Sequence, residues 1–279
     1  MTFGARLSEA MDRFGPLCVG IDPHAGLLAS WGLPDTPEAL AEFGDRVLAA
    51  SAGHAAAVKP NAAFFERHGA AGMAALELVL RHARELGIET ILDAKRGDIG
   101  STMAGYADAF LRPGAPLECD ALTVSPYLGF GSLAPAVELA AQHGKGLFVL
   151  ALTSNPEGAS VQHAVGPDGR AVAKVVADEA AALNEGASPM GSVGLVVGAT
   201  VGDAVQRLGL DLERVNGPIL SPGVGAQGAG AEELSLVFGN ARPRVLVNQS
   251  RGVLSAGPNV ERLREAVVEA AQSAASILR

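Results

Sequence analysis

Eight short apolar runs, each followed by a stretch of helical length, constrain this chain more than anything else in it. The runs are Leu17–Asp22, Ala55–Lys59, Thr90–Lys95, Ala121–Ser125, Leu147–Leu152, Val193–Gly198, Pro218–Pro222 and Val245–Gln249. They are nearly continuous in apolar residues, the pattern of strands covered on both faces in a parallel sheet. Between them lie amphipathic or alanine-rich stretches at Pro37–Ala52, Gly69–Leu86, Ser101–Leu111, Ser132–His143, Arg170–Asn184, Thr200–Leu208, Ala231–Phe238 and Asn259–Ile277. Eight such units in 279 residues predict an α/β fold, a (β/α)8 TIM barrel. An open doubly wound sheet is the alternative. It would need a glycine-rich fingerprint after the first strand, and Val19-Gly20-Ile21-Asp22-Pro23-His24 has none. Phe3, Leu7, Met11 and Phe14 recur at helical spacing, so an extra amino-terminal helix is expected against the barrel. No linker, repeat or low-complexity segment divides residues 1–279, and a single domain is expected.

Composition narrows the function. A net charge of −9 argues against a nucleic-acid binder, which needs clustered Lys and Arg to neutralise phosphates. A small phosphorylated ligand needs only a local basic site. No run approaches the roughly 18 apolar residues of a membrane helix, and Met1–Gly15 carries no signal-peptide pattern. No membrane association and a cytoplasmic location are therefore expected. Cys18 and Cys119 lie in or beside apolar runs, outside any CxxC motif, and read as buried reduced thiols. The six histidines form no ligand spacing, so no metal is expected.

The polar residues at the carboxyl ends of the runs are Asp22, Lys59, Asp93 with Lys95, Ser125, Thr153 with Ser154, the Ser221–Gly230 segment, and Gln249 to Arg251. In a barrel these converge on the face where such enzymes place their chemistry. The amino ends are expected to carry no comparable set. Asp93 and Lys95, two apart on a strand, project into the same space. A solvated ion pair is the plain reading; a reactive centre is the sharper one, because charges at a buried strand end are costly unless used. Ser221-Pro-Gly-Val-Gly-Ala-Gln-Gly-Ala-Gly230 and Asn248-Gln-Ser-Arg-Gly252 follow the seventh and eighth runs, the usual phosphate site of this fold. Glycines there let backbone N–H groups approach an anion, and the Arg251 fork suits phosphate oxygens. The Thr153–Gly169 connection is long enough for a lid or a tolerated surface loop, and both readings stand.

Asp93-x-Lys95-x-x-Asp98-Ile99 resembles the signature of the orotidine 5′-phosphate decarboxylase family. The resemblance extends through Val19-Gly-Ile-Asp22, Val58-Lys-Pro-Asn61, Leu122-Thr-Val-Ser-Pro126, Ser221-Pro-Gly-Val-Gly225 with Gln227, and Asn248-Gln-Ser-Arg-Gly252. Asp93–Phe110 and Lys59–Gly69 are similar to the longer bacterial branch, type 2. The resemblance implies decarboxylation of orotidine 5′-monophosphate to UMP, the last step of de novo pyrimidine synthesis, without cofactor or metal. It further implies that Lys95 protonates C6, that Asp93 faces the substrate carboxylate, and that Lys59 and Asp98 complete an alternating charged row. In the family the second aspartate enters the other subunit's site, so a homodimer with shared active sites is expected, Thr102 approaching the ribose from the same direction. Asp22 is expected at a ribose hydroxyl and Ser125 at the pyrimidine. Pro222, Gln227 and Arg251 are expected around the phosphate.

Two rivals remain at this stage. Magnesium-dependent sugar-phosphate enzymes of the same superfamily share DxKxxD but carry a glutamate at the end of the second strand. Here that position is Lys59, whose charge would repel a metal. A non-catalytic nucleotide-phosphate sensor would need Arg251 and the glycine loop, but not Lys59, Asp93, Lys95 and Asp98 together.

Overall fold

The computed structural model describes residues 1–224 and 229–278. Eight parallel strands close into a barrel in sequence order: β1 (Leu17–Ile21), β2 (Ala57–Pro60), β3 (Glu89–Arg96), β4 (Ala121–Val124), β5 (Gly146–Leu152), β6 (Val193–Val197), β7 (Ile219–Pro222) and β8 (Val245–Gln249). The fold is the (β/α)8 barrel that the apolar runs predict. Helices α1 (Phe3–Phe14), α2 (Ala25–Ser30), α3 (Pro37–Ser51), α4 (Ala62–Glu66), α5 (Gly69–Glu85), α6 (Gly100–Leu111) and α7 (Ala134–His143) serve the first half. Helices α8 (Ala159–Gln162), α9 (Val172–Leu183), α10 (Ala204–Arg207), α11 (Leu212–Val215), α12 (Ala231–Phe238), α13 (Arg251–Leu254) and α14 (Val260–Leu278) serve the second. The helix expected over Thr200–Leu208 shortens to α10, because Gly202 takes a left-handed φ of 61° and turns the chain first. The Thr153–Gly169 connection contains a 3-10 turn at Pro156–Gly158 and the short α8, and a Val165–Ala171 bridge closes it.

Strand parity divides the core in two. Leu17, Val19, Val58, Leu92, Leu122, Val149 and Leu195 face outward and pack under the helices. Each strand also sends one residue inward at the lower level: Cys18, Ala57, Ile91, Ala121, Phe148, Val196, Leu220 and Leu246. Phe3, Leu7 and Met11 of α1 pack against this layer, so the extra helix stops the amino end of the barrel. The Phe3 ring meets Phe148 edge-on at 6.1 Å. Gly146 makes room for it; a Cβ there would lie 2.1 Å from a Phe3 ring carbon. Thr2 starts this helix, its hydroxyl accepting from the Ala5 N–H.

The amino end corrects one expectation: it too carries a charged network. Arg6 of α1 pairs with Glu89 at 2.8 Å and approaches Asp120 at 3.4 Å. Buried Lys145 binds Glu118 at 2.8 Å, and Asp120 accepts from the Thr90 N–H and hydroxyl at 3.0 and 2.9 Å. These residues sit just before or at the start of β3, β4 and β5. In the sequence they look like loop charges; barrel closure brings them together.

Candidate active site

Going up each strand by two from the inward floor residues reaches the polar set. Cys18 leads to Gly20 and Asp22, Ala57 to Lys59 and Asn61, Ile91 to Asp93, Ala121 to Thr123 and Ser125, and Leu246 to Asn248 and Ser250. On β5 the same step reaches apolar Leu150. The carboxyl end of the barrel therefore has a polar wall from β8 through β4, charged at β1 to β3, and a more apolar wall opposite.

Three of the sequence-derived candidates meet directly. Lys59 Nζ donates to Asp93 Oδ2 at 2.8 Å, and Lys95 Nζ donates to Asp93 Oδ1 at 2.5 Å. Burial alone would push the Asp93 carboxyl up, but Lys59 and then Lys95 outweigh it and hold it at about 2. Burial likewise opposes the Lys59 ammonium, yet Asp93 and Asp22 keep its pKa above the ordinary lysine value. Lys59 is 6% exposed at its side chain and Lys95 51%, so one cation is fixed inside the wall and the other faces the open mouth.

Lys95 gets there through an unusual backbone. Leu92 pairs with Leu122 but Arg96 pairs with Val124, so β3 carries two residues more than β4 between those pairs. Within that bulge Lys95 has a φ of 48°, the left-handed region, which costs a non-glycine residue on the order of 1–3 kcal/mol. Thr123, which sequence reasoning did not single out, ties the bulge down. Its hydroxyl accepts from the Ala94 and Lys95 N–H groups at 3.0 and 2.9 Å and lies 3.1 Å from Asp93 Oδ1. Its signal was a threonine on inward parity between an apolar floor residue and Ser125.

Asp98 does not join the row within this chain. It accepts from the Ile99 N–H at 2.8 Å and makes no ion pair among the described residues. Thr102, on the first turn of α6, is exposed. Ser125 donates its N–H to Arg96 O at 2.8 Å and closes the bulge beside Gly97. Asp22, Pro222 and Arg251 line a cleft of about 450 Å³, together with Asn61, Phe64, Gly223 and Asn248. Asp22 Oδ1 and Asn248 Oδ1 are buried with no hydrogen-bond partner among the described residues. Gly20 lets the Ser250 hydroxyl and Asp22 crowd in; a Cβ there would lie 2.0 Å from Ser250 Oγ. Gln227 lies outside the described residues. Among those described, no three His, Cys, Asp or Glu side chains gather as a metal site requires.

Fold and site together define the class: a (β/α)8 barrel enzyme with two lysines gathered on one carboxylate at its strand ends. The family model for the orotidine 5′-phosphate decarboxylase / HUMPS family matches residues 15–266, and the chain belongs to that family. It is 58% identical over 265 residues to an orotidine 5′-phosphate decarboxylase of Salinispora arenicola, covering 95% of this chain and 94% of that protein. Identity to the enzyme of the same name from Streptomyces coelicolor is also 58%, over 264 residues, with coverage of 95% and 94%. A Streptomyces avermitilis crystal structure matches with a TM-score of 0.94 at 57% identity, covering 99% of this chain and 96% of that one. Leishmania donovani OMP decarboxylase matches with a TM-score of 0.77 at 36% identity, covering 100% and 99%.

Proposed function

We infer that this chain decarboxylates orotidine 5′-monophosphate to UMP and CO2, the last step of UMP biosynthesis. The observation that carries the reading is the Lys59–Asp93–Lys95 row at the edge of the cleft lined by Asp22 and Arg251. The ribose phosphate occupies that cleft, with Asp22 and the Asn248 carbonyl offering unused acceptors to hydroxyls. Arg251 and Pro222 border the phosphate end, where Gln227 is proposed to join them. The substrate carboxylate comes against Asp93, a like charge that favours its departure. The bond from C6 to the carboxyl carbon breaks, its electron pair stays on C6, and Lys95 Nζ delivers a proton there. The neutral amine then regains a proton from solvent. The fixed charges need no rearrangement as the C6 carbanion develops, which is where most of the barrier reduction is expected. Ser125 and Ser154, at the ends of β4 and β5, are the hydroxyls offered to the pyrimidine edge.

Lys59 favours this member of the family over a magnesium-dependent sugar-phosphate enzyme. Its ammonium holds Asp93 at 2.8 Å, leaving a cation where a metal ligand would be needed. The assembly is proposed to be a homodimer in which Asp98 and Thr102 reach the partner's site. Ile99 after β3 and Tyr127 and Leu128 after β4 are 62%, 77% and 53% exposed, large apolar side chains on the loops of two paired strands that a partner would cover. Two buried free thiols and the lack of a described helix long and apolar enough to cross a membrane support a cytoplasmic setting.

The first test is loss of orotidylate absorbance with UMP identified as product, run with and without chelator. Chelator-insensitive turnover is expected. A folded protein without turnover would overturn the reading, and chelator-sensitive turnover would overturn the role given to Lys59. Mixing Lys95→Ala and Asp98→Ala chains should restore activity through heterodimers; failure after demonstrated subunit exchange would refute the shared site.

A further inference from the structure

Arg96 lies between the proton donor and Asp98, yet its side chain points away from the barrel mouth. One arm of its guanidinium, Nη1, donates back to Ala94 O at 3.2 Å, inside the bulge. The other arm, Nη2, pairs with Glu66 at the end of α4. The charge sits 5.6 Å from the Tyr106 ring centre and 5.7 Å from that of Phe110, both on α6. Its Nε–H is buried without a hydrogen-bond partner among the described residues. Its own carbonyl accepts from the Ser125 N–H at 2.8 Å.

These contacts complement those of Thr123. From inside the barrel, Thr123 takes the N–H groups of Ala94 and Lys95; from outside, Arg96 takes the Ala94 carbonyl. The bulge is thus gripped on both sides, and the left-handed turn at Lys95 lies between the two grips. The outer grip also reaches α4, which directly follows Asn61 and carries Phe64 of the cleft, and α6, which carries Thr102.

We propose that Arg96 is a positioning residue: through Ala94, Glu66 and the α6 rings it holds Lys95 in its left-handed conformation and so aims the ammonium. The proposal rests on the decarboxylase reading above. A lysine in its place cannot serve Ala94, Glu66 and two rings at once, because it lacks the planar fork.

The test compares wild type with R96M, R96K and E66Q, using kcat, KM and affinity for UMP, together with a crystal structure of R96M. We expect R96M to lose kcat by on the order of 10²-fold, the cost of misplacing a reacting group. R96K should fall between the two, and E66Q should lose less. KM and UMP affinity should change by no more than about threefold in all three, since no cleft residue is replaced and the α4 and α6 backbones keep their own hydrogen bonds. In the R96M crystal structure Lys95 should leave its left-handed φ. Wild-type kcat in folded R96M, or equal losses in kcat and UMP affinity, would overturn the proposal. If R96M fails to fold, R96K and E66Q decide it by the same split. If wild type itself does not turn over orotidylate, the decarboxylase reading falls, and the φ of Lys95 in an Arg96 variant still reports whether this arginine holds it.

Discussion

The two ends of the barrel are built from the same materials and put to opposite uses. At the amino end Arg6 and Lys145 are matched to Glu89, Glu118 and Asp120, Thr90 serves Asp120, and the aliphatic and aromatic side chains of α1 close the opening. At the carboxyl end Lys59 and Lys95 share one carboxylate, Asp22 and Asn248 each keep a buried oxygen without a partner among the described residues, and Lys95 sits in a strained conformation. Ion-pair density therefore does not separate a working face from a structural one. What marks the carboxyl end is one carboxylate shared by two lysines, one of them held in left-handed backbone within a strand bulge.

The largest expected effect is Lys95→Ala, which should lower decarboxylation by on the order of 10⁴-fold, the upper range for loss of a positioned acid. UMP binding, read by calorimetry, should survive; near-normal turnover would remove the contrast between the two ends. Phe3→Ala attacks the opposite end. It should cost about 3–5 kcal/mol in denaturant unfolding, as for a buried ring, while kcat per folded molecule stays within about twofold. A large fall in kcat would mean the floor is coupled to the chemistry.

The pH dependence of stability should have opposite signs at the two ends. Asp93, held at about 2 against an ordinary 3.8, contributes about 2 kcal/mol that is present above pH 4 and lost as pH falls toward 2. D93N should therefore fall furthest below wild type above pH 4, and the gap should narrow in acid. Glu89 is the reverse: burial pushes its carboxyl above the ordinary 4.5, and Arg6 does not fully offset it. Its contribution is present in acid and lost as pH rises through that raised value, so E89Q should gain on wild type above pH 4.5. Parallel profiles for D93N and E89Q would erase the distinction. The smallest effect concerns the two serines. Whichever of Ser125 and Ser154 contacts the pyrimidine should cost about tenfold in kcat/KM when changed to alanine, and the other should cost little. Equal losses would mean the ring is shared between β4 and β5.

Much of this was legible in the sequence because strand periodicity is local. All eight strands fall within two residues of their apolar runs at either end, and the Asp93–Lys95 spacing places two charges on one face. The amino-end network was missed because Arg6, Glu89, Glu118, Asp120 and Lys145 are scattered along the chain and meet only on closure. Thr123 and Arg96 escaped for another reason. Their roles depend on a two-residue shift in pairing between β3 and β4, and no strand pattern announces a shift in its neighbour. The short helices α2, α4, α11 and α13 were also absent from the pattern, since four to six residues complete too few turns for periodicity to register.

The stopper at the amino end has a consequence for how the chain is made. Residues 3–14 are made before any of the eight strands, yet Phe3 packs on Phe148 and the Gly4 N–H donates to the Ser192 hydroxyl, 188 positions downstream, at 3.1 Å. The helix must therefore wait, its apolar face uncovered, until the chain has been made through Ser192, which follows five of the eight strands. Such distant pairings carry a heavy loop-closure cost and slow folding. An element made before every strand thus docks only after most of them, and its apolar face stays open through that stretch of translation.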